Sequence, residues 1–524
     1  MSQKLKKNKT IPVSLNNKKK SLPSIKQKKK LASFEILNPA TLTKIGELPL
    51  YSSEMVEEKI LLAKQAQIIW SAKSLRERAR ARELILFRKF LANNKEEMIS
   101  CICNETGKTK MDALLEIFTT LEAIDYIASK GIRILSSQRR SAGLMIQKKC
   151  FVNYHPHGVV GVISPWNYPL ILSVTPIMNA LMAGNTVVIK PSEVTPYTTL
   201  KALEFFQRAG LTNGILQVVT GKEDAGAALV NSPNTNMICF TGSTATGRII
   251  AEACGKMLKP VVLELGGKDP MIVFKDADLR RAVRGALWGG FANSGQTCIS
   301  VERVYVEKAI YNEFISLLKE ENGKIKQGSK EEFPSVGSMT LPRQVEIVES
   351  HYKDAKAKGA FFVAGGKRLL SEKGLFHEPA IVIGVNHDMK IMSEETFGPE
   401  ISVMEFSTEE EAIQLANNSE YGLSASVWTS DIKKANSIAR KIQSGSISIN
   451  DVVSNYMISD LPFGGFKKSG LGRVHGPEGL RAFAQVQAVT VNRWFWRFSD
   501  ELWWFPYSKK IYSYVSRAVK FLFG

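Results

Sequence analysis

The sequence predicts an α/β protein with doubly wound parallel sheets. Three observations carry this. Short β-branched runs alternate with helical patterns of about 10–15 residues from residue 157 onward. A second alternation of the same kind follows residue 261. The chain has 524 residues and is 44% hydrophobic, enough for two large domains or three ordinary ones, each with its own core.

Before the first alternation the pattern is helical. Val56, Ile60, Ala63, Ala66 and Trp70 recur at steps of three or four, as do Leu84, Phe87 and Leu91. Leu114 to Ile127 is another striped helix. In the first unit, HGVVGVISPW (157–166) and NTVVIKPSE (185–193) each read as a buried strand running into a polar turn, with a helix over Pro169 to Ala183 between them. Thr198 to Ala209 reads as a helix. ILQVVTG (215–221) and NMICFTGS (236–243) read as strands, and Thr246 to Cys254 as a helix. In the second unit, the segments 261–270, 271–276, 301–308, 361–367 and 401–406 contain strand-like runs, with helices over Leu279 to Ser294 and Ile310 to Glu321. The stretch 141–156 mixes polar with apolar residues and suits part of a hairpin whose edge needs a partner.

The net charge of +20 is unevenly spread. Residues 1–33 hold eleven lysines and no acidic residue, more than half of the excess. Such a segment repels itself and has little apolar area to order it, so disorder is expected. It lacks the apolar run of a signal peptide and the aromatic interleaving of a nucleic-acid groove, so no specific nucleic-acid partner is expected. Residues 493–524 form an aromatic and basic extension with Trp494, Trp496, Trp503 and Trp504 among Arg497, Lys509, Lys510, Arg517 and Lys520. Charge interrupts it too often for a bilayer span. Packing on the protein and contact with a membrane surface both suit it. Six scattered cysteines, without paired metal-ligand spacing, suit a reducing compartment such as the cytoplasm and no metal site.

Several residues have chemical potential. Cys298 lies in NSGQTCIS, a polar, turn-like setting; a nucleophilic thiol and a structural one both fit. A nucleophile there needs partial exposure and a stabilised thiolate. Turn or surface positions suit all six histidines, none of which sits in a nucleophile–base motif. Glu264 ends a strand before two glycines. It suits either a solvated strand end or a general base whose pKa is lifted by partial burial. GSTATG (242–247), between strand and helix, suits an anion at a helix N-terminus, although it is neither a dinucleotide fingerprint nor a P-loop. In KPSE (190–193), Lys190 and Glu193 suit ribose hydroxyls or an ordinary charged turn.

PWNYP (165–169), KPSE, FTGSTATG (240–247), ELGGKDP (264–270), GQTC (295–298), EETFGP (394–399) and PFGGFKKSG (462–470) together resemble the aldehyde dehydrogenase superfamily, over about residues 34–492. The order of the motifs and the 34 positions between Glu264 and Cys298 also fit. The resemblance implies a Rossmann-like cofactor domain (34–140 and 157–263), an α/β catalytic domain (264–453), and a small oligomerisation hairpin (141–156 with 481–492). It implies NAD as cofactor, with NADP possible, and a homodimer or homotetramer.

By the same resemblance, Cys298 attacks the aldehyde, Asn167 and the Cys298 N–H hold the oxyanion, and Glu264 activates the water that hydrolyses the thioester. Trp166, Lys190, Glu193, Gly242, Ser243, Glu395 and Phe397 are implied to hold the cofactor, and Gly267 to allow close backbone approach. Glu264 favours hydrolysis over transfer to coenzyme A, and Glu193 favours NAD. Tyr168, Leu172, Thr175, Trp288 and Phe463 are implied pocket positions. Their mostly apolar character suits a medium- or long-chain aliphatic or aromatic aldehyde. A CoA-acylating or semialdehyde-specific enzyme, and a non-catalytic membrane-associated scaffold, are the alternatives.

Overall fold

The computed structural model describes residues 32–75, 78–328, 333–493 and 504–524. The head expected to be disordered therefore lies almost wholly outside the described residues, as do Trp494, Trp496, Arg497 and Trp503.

After an antiparallel strand pair, Ser33–Leu37 with Lys44–Pro49, come four helices: Ser53–Ala72, Ala79–Asn93, Lys95–Thr106 and Lys110–Leu135. The last is the longest. Thr109 and Asp112 close a reciprocal cap at its start, and Ile117, Ile124, Ile127 and Ile134 keep its buried stripe in phase. Trp70 is fully buried, and its indole N–H donates to the Leu181 carbonyl at 2.9 Å.

A six-stranded sheet has the spatial order Gly470–Leu471, Val261–Glu264, Met237–Thr241, Val159–Ile163, Thr186–Lys190, Leu216–Val218. All its pairings are parallel except that of Gly470–Leu471. Continuous apolar runs such as TVVIK are buried throughout, because helices cover both faces. The chain leaves Val159–Ile163 toward one side and later returns to the other. The crevice at the carboxyl end of this strand is thus a topological switch point, where ligands bind in such sheets.

A seven-stranded sheet follows, ordered Phe361–Ala364, Ala380–Ile383, Glu400–Phe406, Val301–Glu307, Asp269–Val273, Ser424–Trp428, Ser446–Ile449. The segment 261–270 holds the end of one strand, at Glu264 as expected, and the start of another. Val261–Glu264 ends the first sheet, residues 265–268 cross over, and Asp269–Val273 begins at the amino edge of the second. Glycines at 266 and 267 break the strand. The crossing brings the carboxyl ends of one sheet to the amino ends of the other.

Ala484–Asn492, Lys148–Pro156 and Gln138–Arg140 form a separate antiparallel sheet. Lys509–Phe523 is a helix with no buried residue. Among the described residues, no helix is long and apolar enough to cross a membrane.

Candidate active site

Three loops leave the carboxyl ends of the first sheet. After Val159–Ile163 come Pro165, Trp166 and Asn167. After Met237–Thr241 come Gly242 and Ser243. Glu264 itself ends the third strand. From the second sheet, Cys298 lies just before Val301–Glu307, and Glu395 and Phe397 just before Glu400–Phe406. Asn167, Glu264, Cys298, Trp166, Gly242, Ser243, Glu395 and Phe397 line one cavity of 260 Å³, together with Leu172, Thr175 and Phe463. Lys190 and Glu193 do not line it. They stand at the end of Thr186–Lys190, joined by a 2.9 Å ion pair.

The turn before Cys298 is unusual. Asn293, Ser294 and Gly295 have φ of 53°, 57° and 70° in succession. Asn tolerates this left-handed region and glycine prefers it. A Cβ on Gly295 would overlap the Gly398 carbonyl, so the turn closes only with glycine there. Gln296 braces it. Its amide donates to the Asn293 carbonyl at 3.0 Å, and its side-chain oxygen accepts from the Thr340 N–H at 2.8 Å. On the far side, a Cβ on Gly267 would lie 2.6 Å from the Cys298 carbonyl oxygen.

Asn167 is buried and held at both ends. Its side-chain amide donates to the Gln296 carbonyl at 2.9 Å. Its own carbonyl accepts from Asn293 at 3.0 Å and from Lys108 at 2.8 Å. One amide N–H is thus spent on orientation, and the other remains for the cavity.

Cys298 is partly exposed, as a nucleophile needs, but its electrostatic setting differs from the expected one. Burial, then the carboxyl groups of Glu264, Asp269 and Glu395, push its thiol well above the ordinary range, although its own N–H favours the thiolate. Among the described residues, no cation is one of the leading influences on it. Burial also lifts Glu264 well above the usual carboxylate range, with Arg473 opposing. Its buried Oε1 accepts no hydrogen bond from the protein among the described residues.

Glu395 accepts from the Gly267 N–H at 3.0 Å, and burial and Glu302 push it up to about 8. Next to it, the Thr396 and Phe397 N–H groups donate to the Glu302 carboxylate at 2.9 and 3.1 Å. Glu302 in turn pairs with buried Lys268. The Phe397 ring meets Trp166 edge-on, 5.4 Å between centroids.

A second cavity of 90 Å³ adjoins the first at Cys298, Leu172 and Tyr456. Tyr168, Ile171, Trp288, Ile299 and Val453 make it mainly apolar. Its acids are Asp112 and Glu116, and no Lys or Arg lines it among the described residues. Past Trp288 and Leu115 it meets an outer cavity of 750 Å³.

The histidines need correction. His351, His377 and His475 are buried, and His475 is in ring contact with Tyr456 and Phe463 beside the site. Sequence reasoning also missed Lys108, Glu116, Lys268, Glu302 and Gln296. Charged residues ordinarily signal solvent, and no local pattern marks these as buried.

A thiol, a carboxyl and an amide thus converge beside a helix N-terminus at the switch point of a two-unit α/β fold. The aldehyde dehydrogenase family profile matches residues 25–489, and the chain belongs to that family. Its relatives include a 4,4'-diapolycopene aldehyde oxidase of Methylomonas, 39% identical over 94% of this chain and 92% of that one. A putative succinate-semialdehyde dehydrogenase [NADP(+)] of Mycolicibacterium smegmatis is 38% identical over 85% of this chain and 86% of its own. Among solved structures, an NAD-dependent aldehyde dehydrogenase of Sinorhizobium meliloti superposes with a TM-score of 0.86 at 34% identity, covering 91% of this chain and 93% of that one.

Proposed function

We propose that the protein oxidises an apolar aldehyde to its carboxylic acid with NAD as hydride acceptor. The observation that carries this is the single cavity shared by Cys298, Glu264 and Asn167, with a mainly apolar passage leading away from the thiol.

The chain's own groups fit a dinucleotide. Thr244–Lys256 presents its N-terminal N–H groups beside Gly242 and Ser243, where pyrophosphate would be held. Lys190 and Glu193 would take the adenosine ribose. The Glu193 carboxylate would repel a 2′-phosphate, which supports NAD over NADP. Glu395, with Trp166 and Phe397 beside it, would hold the nicotinamide ribose. NAD, when bound, accepts the hydride that leaves the substrate carbon.

Cys298 Sγ, its proton passed to solvent, bonds to the aldehyde carbon, and the oxyanion takes hydrogen bonds from the Asn167 amide and the Cys298 N–H. After hydride loss a thioester links substrate to Cys298. Glu264 takes a proton from water, and the resulting attack releases the acid and restores the thiol. Its unsatisfied buried oxygen supports this role. One aldehyde and one water thus give one acid and one free proton, with a hydride passing to NAD.

The test is an aldehyde panel graded by chain length, with NAD and NADP side by side and with and without coenzyme A. Expected is NADH formation that favours apolar aldehydes, needs no coenzyme A, and is lost in Cys298→Ala. A preference for succinate semialdehyde would overturn the substrate reading, because the inner passage offers a second carboxylate no cation.

Two further parts of the reading concern assembly. The strand Ala484–Asn492 lies at the edge of its sheet with Val486 and Val491 exposed, which supports a homo-oligomer paired there. The helix Lys509–Phe523 supports peripheral contact with an anionic membrane. Ile511, Val515, Ala518 and Leu522 share one side, Lys509, Arg517 and Lys520 the other, and no acidic residue occurs over 504–524. Flotation with phosphatidylserine vesicles should be lost in a chain ending at residue 493. Equal flotation of both chains would overturn the contact.

A further inference from the structure

Beneath the Asn167 loop lies an ion pair with no part in the chemistry above. Lys108 and Glu116, on and just before the helix Lys110–Leu135, have fully buried side chains and are 2.7 Å apart. Burying two charges is expensive, and such a pair commonly adds little stability over an apolar pair of the same size. What it does add here is geometry. Lys108 Nζ also donates to the Asn167 carbonyl at 2.8 Å and stands 4.0 Å from the centre of the Tyr168 ring. The other Glu116 oxygen accepts from the N–H groups of Leu170 and Ile171, at 2.8 and 3.3 Å. Those N–H groups begin the helix Ile171–Met182, which has no side-chain cap of its own.

The pair therefore grips the turn 167–171 at both ends, by the carbonyl of its first residue and the N–H groups of its last two. Asn293, in the turn that carries Cys298, donates to the same Asn167 carbonyl at 3.0 Å. One carbonyl thus joins the loop that bears the amide, the turn that bears the thiol, and the buried pair.

We infer that Lys108, through its ion pair with Glu116, is a positioning residue that sets the Asn167 amide at the height of the oxyanion. It does not touch substrate. This inference rests on the oxyanion role proposed for Asn167. Misplacing such a donor by about 1 Å costs on the order of a hundredfold in rate.

The test is a double-mutant cycle in the full-length protein, with apolar aldehyde and NAD. One arm is Asn167→Ala. The other is Lys108→Met with Glu116→Gln, which removes both charges yet leaves a carbonyl for the Leu170 N–H. The second arm should lower kcat by roughly 10–100-fold. The KM for NAD and the alkylation rate of Cys298 by iodoacetamide should change less than about twofold, since neither depends on the amide. Added to Asn167→Ala, it should cost less than about a further twofold, because the donor it positions is already gone.

A multiplicative loss in the combined variant, or an unchanged kcat in the pair variant, overturns the inference while leaving the oxyanion role intact. A near-wild-type kcat in Asn167→Ala overturns the oxyanion role and this inference together. If the pair variant fails to fold, Lys108→Arg enters the same cycle. It keeps the charge but cannot reproduce the compact ammonium geometry, and the same two outcomes decide.

Discussion

Cys298 sits among carboxyl groups rather than cations, and this sets its pH behaviour. Burial and the acidic neighbours push its thiol above the ordinary range. Alkylation by iodoacetamide should therefore be slow at pH 7 and climb steadily toward pH 9. Glu264→Gln removes one negative neighbour, so alkylation at pH 9 should speed up several-fold while turnover falls by roughly 10²–10⁴. Slower alkylation would mean instead that Glu264 takes the thiol's proton. Glu395, raised to about 8 by burial and Glu302, links the same region to stability. Folded, it keeps a proton that the unfolded chain gives up near its ordinary pKa. Its contribution is full below that ordinary pKa and is lost as pH rises through about 8. The Tm should fall by a few degrees between pH 5 and 8.5, with a shallower slope in Glu395→Gln.

The turn Asn293–Gly295 shows how an element fixes a reactive atom. Gly295→Ala must move either the turn or the Gly398 segment. Activity should drop by about a hundredfold or more, with slower NADH formation at saturating aldehyde as the readout. This turn and the parallel strands differ in legibility. Runs such as TVVIK announce a sheet covered on both faces, and the motif loops announce where those strands end. Ser424–Trp428 and Ser446–Ile449 carry no clear strand signal: their serines look polar in the sequence, yet Ser424, Ser426 and Ser448 are buried. The glycines at 266 and 267 read as the end of a strand, but nothing in the sequence says that the chain changes sheets there. The loop residues of the site follow from motifs. Lys108, Glu116, Lys268 and Glu302 do not, because only the three-dimensional pairing makes burial of those charges tolerable.

For the whole molecule, the edge strand Ala484–Asn492 is the testable surface. Replacing exposed Val486 by Lys places a charge on that edge. On the pairing proposed for this edge, wild type should elute as an oligomer and the variant should shift toward a monomer, in size exclusion with light scattering. The two cavities leading out from the sulfur differ more than eightfold in volume, 90 against 750 Å³. A keyhole of that shape admits a slender head and tolerates a bulky tail. Methyl branching at the carbon next to the carbonyl should cost far more in kcat/KM than the same methyl, or even a ring, placed at the far end. The enzyme would thus sort its substrates by where their width lies, not by how much of it they carry.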